Sequence, residues 1–249
     1  MKLSGNTILI TGGGSGIGRG LAEALHRAGN QVVIAGRRQK VLEQTVAANP
    51  GMQFALLDLQ IAGDIERYGK EISLRFPSLN VLINNAGIMR AEKVEEQNGL
   101  ADAEAIIATN LLGPIRLTAA LLPHLRKQAA ATIMNVSSGL AFVPLMITPT
   151  YCATKAAIHS YTQSLRFQLK KTKIEVLELI PPYVATDLLG GKSDPRAMPL
   201  DKYIAEVMDI LKMQPTPAEI CVDNVKRLRL AAECGNYESI LQGLNSGLG

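Results

Sequence analysis

Short runs of apolar, largely β-branched residues alternate with longer amphipathic segments from residue 7 to residue 180 of this 249-residue chain. The short runs are apolar at every position, which is typical of strands that helices cover on both faces of a parallel sheet. This alternation predicts a doubly wound α/β fold, with a Rossmann-type parallel sheet of six or seven strands flanked by helices. The predicted strands are 7–11, 32–35, 54–57, 81–83, 132–136 and 174–180.

The segments that separate these strands are predicted helices, and no linker, repeat or low-complexity tract divides the chain. We therefore predict one domain over residues 1–249, with a cofactor-binding and catalytic core at 1–186. The predicted helices of this core are 16–28, 40–48, 64–75, 102–126 and 151–171.

The last quarter of the chain has a different pattern. Glycines and prolines in 187–200 predict a loop, and we assign residues 187–215 to a substrate loop region. The sequence at 216–219 offers an N-cap threonine, a proline in the first turn and a glutamate, which together indicate a helix start. We therefore predict a helical C-terminal segment at 216–249, with helices at 217–234 and 237–244.

Composition excludes several classes of protein. Hydrophobic residues make up 47% of the chain and charged residues 19%, which excludes intrinsic disorder. Three cysteines without a C-x-x-C pair argue against a disulfide framework and against a metal site. The net charge is +4, but the basic residues are dispersed and aromatic residues make up only 4%, so we expect no nucleic-acid partner.

Neither a membrane-spanning segment nor a signal peptide is predicted from the sequence. The longest uncharged stretch, 128–154, contains Asn135, Pro144 and Pro149, which interrupt it as a membrane-spanning helix. The N-terminus leads directly into the first strand without a signal-peptide pattern. We therefore predict a cytoplasmic protein without membrane association.

A glycine-rich segment, 11–18, joins the first predicted strand to the first predicted helix. Glycines let the backbone approach a pyrophosphate closely, and the helix N-terminus supplies free N–H groups. The spacing is Gly12-x-x-x-Gly16-x-Gly18, because Ile17 stands where the third glycine of G-x-G-x-x-G would be. A tight turn without a ligand is the alternative. We predict a dinucleotide site that includes Gly12, Ser15, Gly16, Ile17 and Gly18.

The end of the second predicted strand bears on the choice of cofactor. A carboxylate at this point would bind the ribose 2′-hydroxyl of NAD, but Gly36 is followed by Arg37 and Arg38. Two guanidinium groups suit a 2′-phosphate, so we predict NADP(H), with NAD(H) as the weaker alternative. Two solvated arginines at a helix start are the competing explanation.

Tyr151 and Lys155 are four residues apart in a predicted helix and therefore share a face. A phenol is a weak acid with a pKa near 10, and a neighbouring ammonium group lowers that pKa and improves proton donation. Ser138 ends a predicted strand, where ligands bind in such sheets, and its hydroxyl is suited to hold a carbonyl oxygen. A surface lysine is the usual explanation of Tyr-x-x-x-Lys alone.

Together, these ordered motifs resemble the short-chain dehydrogenase/reductase family over about residues 5–190. The resemblance assigns Asp58 and Leu59 to the adenine and places Pro181, Val184 and Thr186 at the nicotinamide end. The family's glycine motif, Asn-Ala-Gly element, helix asparagine and catalytic serine, tyrosine and lysine correspond to Gly12, Gly16, Gly18, Asn85, Ala86, Gly87, Asn110, Ser138, Tyr151 and Lys155.

The resemblance also implies roles. Tyr151 would donate a proton while the nicotinamide delivers hydride, Ser138 would orient the carbonyl oxygen, and Lys155 would bind the nicotinamide ribose. Asn110 would hold a water that relays protons to Lys155; a helix kink or cap is the alternative for this residue. We therefore predict an NADP(H)-dependent oxidoreductase that interconverts a small carbonyl compound and a secondary alcohol. A non-catalytic NADP(H)-binding regulator or redox sensor is the alternative.

Two features depart from the family pattern. Pro182 follows Pro181 where the family has glycine, and the usual C-terminal strand ending in Asp-Gly-Gly is not recognisable. Both features resemble a branch named after a D-alanine–lipoteichoic acid operon oxidoreductase. Because the seventh strand motif is missing, we expect a homodimer through helices 102–126 and 151–171 rather than a tetramer.

Three further features are open to two interpretations each. We interpret His159, one helical turn after Lys155, as a helix or subunit contact rather than a catalytic residue. Arg90 either meets an acidic substrate group or is solvated. The residues expected to border the substrate suggest an apolar pocket, although core packing explains several of them equally well: Met89, Phe142, Val143, Leu145, Met146, Tyr183 and Leu188.

Overall fold

Seven parallel strands form the central sheet of the structure, a computed structural model that describes residues 1–93, 95 and 99–246. The strand order is β3-β2-β1-β4-β5-β6-β7, so the chain winds outward in one direction from β1 and in the other from β4. The predicted doubly wound α/β fold is confirmed. The strands are β1 (Thr7–Thr11), β2 (Gln31–Gly36), β3 (Gln53–Leu56), β4 (Leu79–Asn84), β5 (Ala131–Val136), β6 (Ile174–Leu179) and β7 (Glu219–Ile220).

Helices cover both faces of the sheet, and alternate strand residues belong to two separate cores. Ile8 and Ile10 of β1 pack in the same core as residues of the first and seventh helices, whereas Leu9 packs in the opposite core. This explains why the strands are apolar at every position. The helices are α1 (Gly16–Arg27), α2 (Gln39–Ala47), α3 (Ala62–Arg75), α4 (Leu100–Ile107), α5 (Gly113–Leu125), α6 (Pro149–Leu169), α7 (Leu200–Leu211), α8 (Asp223–Arg229) and α9 (Tyr237–Asn245).

A buried row of polar side chains crosses the centre of the sheet. The Asn84 amide of β4 donates hydrogen bonds to Asn135 Oδ1 of β5 at 2.8 Å and to Thr118 Oγ1 of α5 at 3.1 Å. The Asn135 amide in turn donates to Thr162 Oγ1 of α6 at 2.9 Å. These bonds join two strands and two helices close to the carboxyl ends of β4 and β5.

The helix predicted at 217–234 is wrong in its first part. Residues 219–220 form β7 instead, and α8 begins only at Asp223. The Glu178 N–H donates to Ala218 O at 2.9 Å, and the Ile180 N–H donates to Ile220 O at 3.1 Å. Backbone hydrogen bonds to the open edge of β6 therefore make this segment a strand, although its proline and capping pattern favour the start of a helix. The sheet therefore has its seventh strand without the family's usual motif.

The region predicted as a substrate loop, 187–215, also contains regular structure. α7 occupies Leu200–Leu211 and buries Tyr203 and Val207 completely against the α1 side of the sheet. A short 3₁₀ helix at Leu188–Ser193 precedes it. The predicted helix at 237–244 is confirmed as α9, while residues 247–249 of the predicted C-terminal segment lie outside the described residues.

The single helix predicted at 102–126 is interrupted. A π-helical turn at Ala108–Leu112 separates α4 from α5. By length and composition alone, the stretch Leu100–Leu125 could span a membrane, with a mean hydropathy of 1.6. Leu117, Leu121 and Leu125 are nevertheless fully buried in the core between α3, α5 and the sheet, which accounts for the apolar composition.

The close packing of α3 against α5 depends on the absence of a side chain at Gly69. A Cβ placed on Gly69 would lie 2.7 Å from Ala120 Cβ, whereas a Cβ on Gly63 of the same helix would meet nothing within 4 Å. We expect Gly69→Ala to lower the free energy of unfolding by about 1–2 kcal/mol, because overpacking outweighs the gain in helix propensity. Gly63→Ala, the matched control, should leave it unchanged or raise it by up to about 1 kcal/mol. Urea denaturation measures both; equal effects would contradict the packing argument.

Candidate active site

A cleft of about 1090 Å³ lies along the carboxyl edge of the sheet. It includes the ends of the neighbouring strands β1 and β4, from which the chain connections run in opposite directions. Such switch points are the usual ligand sites of open α/β sheets. The predicted residues that line it are Gly12, Ser15, Gly16, Ile17, Gly18, Arg37, Arg38, Asp58, Leu59, Asn85, Ala86, Gly87, Ser138, Tyr151, Lys155, Pro181, Val184 and Thr186.

The glycine-rich turn between β1 and α1 leaves no room for side chains. Gly12 has a φ of +69°, and a Cβ on Gly18 would lie 2.3 Å from Asn85 Nδ2 and 2.4 Å from the Gly12 oxygen. Asn85 Nδ2 donates to Thr11 O at 2.9 Å and so holds the end of β1 beside the turn. Ser15 makes no side-chain hydrogen bond to the first turn of α1 in the described structure. The N–H groups of that turn are therefore suited to an anionic ligand.

Arg37 and Arg38 stand at one end of the cleft, and both side chains are exposed. The Arg38 guanidinium donates to Ser15 Oγ at 2.8 Å, which places it directly beside the glycine turn. Arg37 lies 3.9 Å from the Asp58 carboxylate, a loose ion pair. Asp58 Oδ1 also accepts a hydrogen bond from the Gln60 N–H at 3.0 Å, so this carboxylate shapes its own turn as well as lining the cleft.

Ser138, Tyr151 and Lys155 meet in the middle of the cleft. Ser138 follows β5 and caps the 3₁₀ turn Gly139–Ala141, where its Oγ accepts a hydrogen bond from the Leu140 N–H at 3.1 Å. Tyr151 and Lys155 are buried on one face of α6. Lys155 Nζ donates to Val136 O at 2.8 Å and lies 5.5 Å from the centroid of the Tyr151 ring.

The expected lowering of the Tyr151 pKa by Lys155 does not occur in this arrangement. Burial raises the pKa of Tyr151 to about 12, and interaction with the Ser138 hydroxyl offsets this only in part. Burial also lowers the pKa of Lys155 to about 8. The negative charge of Glu178 opposes this effect and raises the same pKa. Desolvation of the Tyr151 phenol determines its pKa, because the Lys155 ammonium is directed at the Val136 carbonyl rather than at the phenol oxygen.

Asn110 is the one predicted site residue that does not line the cleft as described. It lies in the π-helical turn, where its amide accepts from Ile88 N–H and donates to Ile88 O, both at 2.9 Å. A Cβ on Gly87 would lie 3.4 Å from Asn110 Oδ1 and 3.7 Å from Lys155 Nζ, so Gly87 separates the two polar groups. Asn110 thus lies at a helix irregularity, and its role in a proton relay stays a prediction.

A buried carboxylate beneath the site was not predicted. Glu178 of β6 is fully buried, and it accepts hydrogen bonds from Ser137 Oγ at 2.6 Å and from His159 Nδ1 at 2.9 Å. Ser137 lies between Ser138 and Val136, whose carbonyl holds Lys155. Burial raises the pKa of Glu178, while its bonds to Ser137 and His159 favour the anion. A charged residue inside an otherwise apolar strand was the available sequence signal.

The polar cluster continues to the edge of the sheet. Ligand atoms of His159, Glu178 and Glu219 lie within 4.8 Å of one another, which is close enough for a metal ion. Arg229 of α8, however, donates to both Glu219 oxygens, at 2.7 and 3.2 Å. Its guanidinium also stacks on Phe142, which meets the His159 ring edge-on at 4.7 Å. Arg229 therefore balances the charge of Glu219, while Glu178 is bonded to Ser137 and His159.

The part of the cleft around Tyr151 is apolar, as predicted. Met89, Leu140, Leu145 and Leu188 pack around the buried Tyr151 and line the cleft. Tyr183 also lines it, and its hydroxyl donates to Asp194 Oδ2 at 3.3 Å. Three residues expected here lie elsewhere: Phe142 stacks with His159, Val143 packs against α9, and Met146 is exposed outside the cleft lining.

Arg90 does not reach the cleft lining. It forms an ion pair with Asp102 of α4. This contact replaces both sequence-based interpretations, the acidic substrate group and free solvation.

Comparison with known proteins gives consistent results. The model of the short chain dehydrogenase family matches residues 6–197. The sequence is 37% identical to the uncharacterized oxidoreductase DltE of Bacillus subtilis (strain 168), over 99% of both chains. It is 30% identical to the uncharacterized oxidoreductase SERP2049 of Staphylococcus epidermidis, over 76% of this chain and 83% of that protein. The first relative confirms the predicted branch.

Solved structures show the same architecture. A short chain dehydrogenase from Burkholderia cenocepacia J2315 in complex with NADP has a TM-score of 0.82 at 25% identity, covering 97% of this chain and 99% of that chain. The 3-ketoacyl-(acyl-carrier-protein) reductase from Brucella melitensis, complexed with NADH, has a TM-score of 0.80 at 27% identity, covering 90% and 98%. Both neighbours hold a nicotinamide dinucleotide, but the two nucleotides differ.

Proposed function

The chain belongs to the short-chain dehydrogenase family, and we propose from this that it is an NADP(H)-dependent oxidoreductase that interconverts a carbonyl and a secondary alcohol. The observation that carries the proposal is the meeting of Ser138, Tyr151 and Lys155 in the same cleft as the glycine turn. The predicted homodimer and cytoplasmic location stay predictions, since the structure is of a single chain.

The cleft suits a phosphorylated dinucleotide. The glycine turn and the α1 N-terminus would hold the pyrophosphate, because the turn lines the cleft and the N–H groups there have no side-chain cap. Arg38, already beside the turn, has further N–H groups for a 2′-phosphate. The nicotinamide, when bound, supplies or accepts the hydride.

The chain's own residues handle the proton. In the direction of reduction, the Ser138 hydroxyl orients the carbonyl oxygen and Tyr151 Oη transfers its proton to that oxygen. The alcohol leaves, and Tyr151 regains a proton from solvent. A phenol with a raised pKa holds its proton until charge develops on the oxygen, and interaction with the Ser138 hydroxyl then favours the phenolate. Lys155 would bind the nicotinamide ribose. Met89, Leu145 and Leu188 keep water from the reacting atoms.

The first prediction from the proposed function concerns Tyr151. We expect Tyr151→Phe to abolish NADPH-dependent reduction across a panel of aldehydes, ketones and keto-acids, because it removes only the transferable proton. The buried ring stays in place, so NADPH affinity and thermal stability should be unchanged. Loss of NADPH absorbance measures turnover. Saturable NADPH binding by the wild type with no turnover on any carbonyl or alcohol would favour the regulator or sensor instead.

The second prediction concerns the arginine pair. We expect Arg38→Ala to raise KM for NADPH by about tenfold or more while KM for NADH changes little, since a 2′-phosphate loses a charge-assisted contact. Lys40→Ala is the control, because Lys40 is an exposed cation nearby that does not line the cleft. Equal KM values for the two nucleotides in the wild type would refute the NADP(H) preference.

The third prediction concerns pH. The pKa of Lys155, about 8, is supported by the Glu178 charge. Glu178→Gln keeps one acceptor oxygen and the side-chain shape but removes that charge, so the pKa of Lys155 should fall and its proton should be lost at a lower pH. We expect kcat/KM to fall several-fold in mildly alkaline buffer and little in mildly acidic buffer. Glu219→Gln, which removes a charge from the same cluster without bearing on Lys155, should leave the profile in place. A uniform loss at every pH would indicate a merely structural role for Glu178.

A further inference from the structure

The outer wall of the cleft is built from the C-terminal part of the chain. Arg227 and Leu228 of α8, with Leu244 of α9, line it. α8 packs directly on the turn that follows Ser138, because a Cβ on Gly139 would lie 2.7 Å from Leu228 Cδ1 and 2.9 Å from Val225 Cγ2. A ligand whose carbonyl oxygen lies at Ser138 therefore has its other end close to this wall.

Arg227 is a cation of this wall without a carboxylate partner among the residues that the structure describes. The other arginines of the region are engaged. Arg196 donates to both Asp194 oxygens, at 2.6 and 3.0 Å, and Arg229 binds Glu219 and Glu233. Arg227 lies against α9, with Nη2 at 4.0 Å from the position of a Cβ on Gly243. Its guanidinium is thus free to accept an anion at the rim.

The walls between Tyr151 and Arg227 are mainly apolar. Met89, Leu145 and Leu188 surround Tyr151, and Leu228 and Leu244 continue the surface outward. A ligand in contact with these side chains has an apolar body. A guanidinium fork next to apolar surface favours a carboxylate or phosphate over a neutral group of the same size.

We propose that Arg227 binds an oxyanion at the end of the substrate remote from the carbonyl, so that this protein acts on apolar oxo-acids. The inference rests on the proposed function for the position of the reacting carbonyl. The oxyanion is a carboxylate or a phosphate, and the substrate series below distinguishes the two.

The test compares keto-carboxylates, in which methylene chains of increasing length separate ketone and carboxylate, with their methyl esters and with the corresponding keto-alkyl phosphates. At the best chain length, we expect kcat/KM of the wild type to be about tenfold or more higher for one anion class than for the ester. Arg227→Gln should remove this preference and leave kcat/KM for the ester within about twofold.

Lys226→Gln is the matched control. It removes the same charge from the neighbouring residue, which is paired with Asp223 at 2.6 Å and does not line the cleft. We expect its anion preference to equal that of the wild type. The inference is overturned if the wild type does not distinguish anion from ester at any length, or if both variants lose the preference equally, which would indicate a long-range charge effect.

A binding measurement separates this inference from the proposed function. Calorimetric titration of the NADP⁺-loaded protein with the same keto-acids, a combination in which no hydride can be transferred, should show binding that Arg227→Gln weakens about tenfold or more. Binding of this kind without any turnover would refute the oxidoreductase and retain the Arg227 site. Turnover of neutral and anionic ketones alike, with no effect of Arg227→Gln on binding, would retain the oxidoreductase and refute the site.

Discussion

The hydrogen bond between the Asn84 and Asn135 amides, inside the sheet, is the interaction on which the site depends. A buried amide left without a partner costs about 1–3 kcal/mol, so this pair strongly favours one register of β4 against β5. The Asn135 bond to Thr162 fixes the position of α6 relative to these two strands. Asn85, Ser137 and Ser138 follow these strands directly, and Tyr151 and Lys155 lie on that helix. The positions of Ser138, Tyr151 and Lys155 therefore follow from polar contacts below them.

Local patterns were sufficient for the features that one segment determines. The glycine turn is readable because it depends on a few adjacent residues, and the Tyr151–Lys155 pair follows from helical spacing. The alternating cores are equally readable, since a strand such as β1 is apolar throughout. These features placed the centre of the cleft, and the family resemblance supplied the other predicted residues; of all of them, Asn110 is the one that does not line the cleft as described.

The features that were missed depend on contacts between distant segments. β7 has two residues, and it is a strand only because the edge of β6 offers hydrogen bonds to it. Glu178 meets Ser137 across 41 positions and His159 across 19, so no local period indicates that network. The expected effect of Lys155 on Tyr151 failed for a related reason, because burial and the direction of the ammonium group are tertiary properties.

The contact of α8 with the Gly139 turn has a consequence for how this protein distinguishes substrates. Leu228 lies on the wall of the cleft and also touches the turn capped by Ser138, so one helix would serve both substrate binding and the proposed orientation of the carbonyl oxygen. A substrate of the wrong shape cannot displace that wall without also displacing the serine. Among molecules that carry the same end group, selectivity should then emerge as a difference in turnover rather than as a difference in occupancy. A poor substrate of this protein would be a molecule that binds in the cleft with its carbonyl oxygen out of position for Ser138.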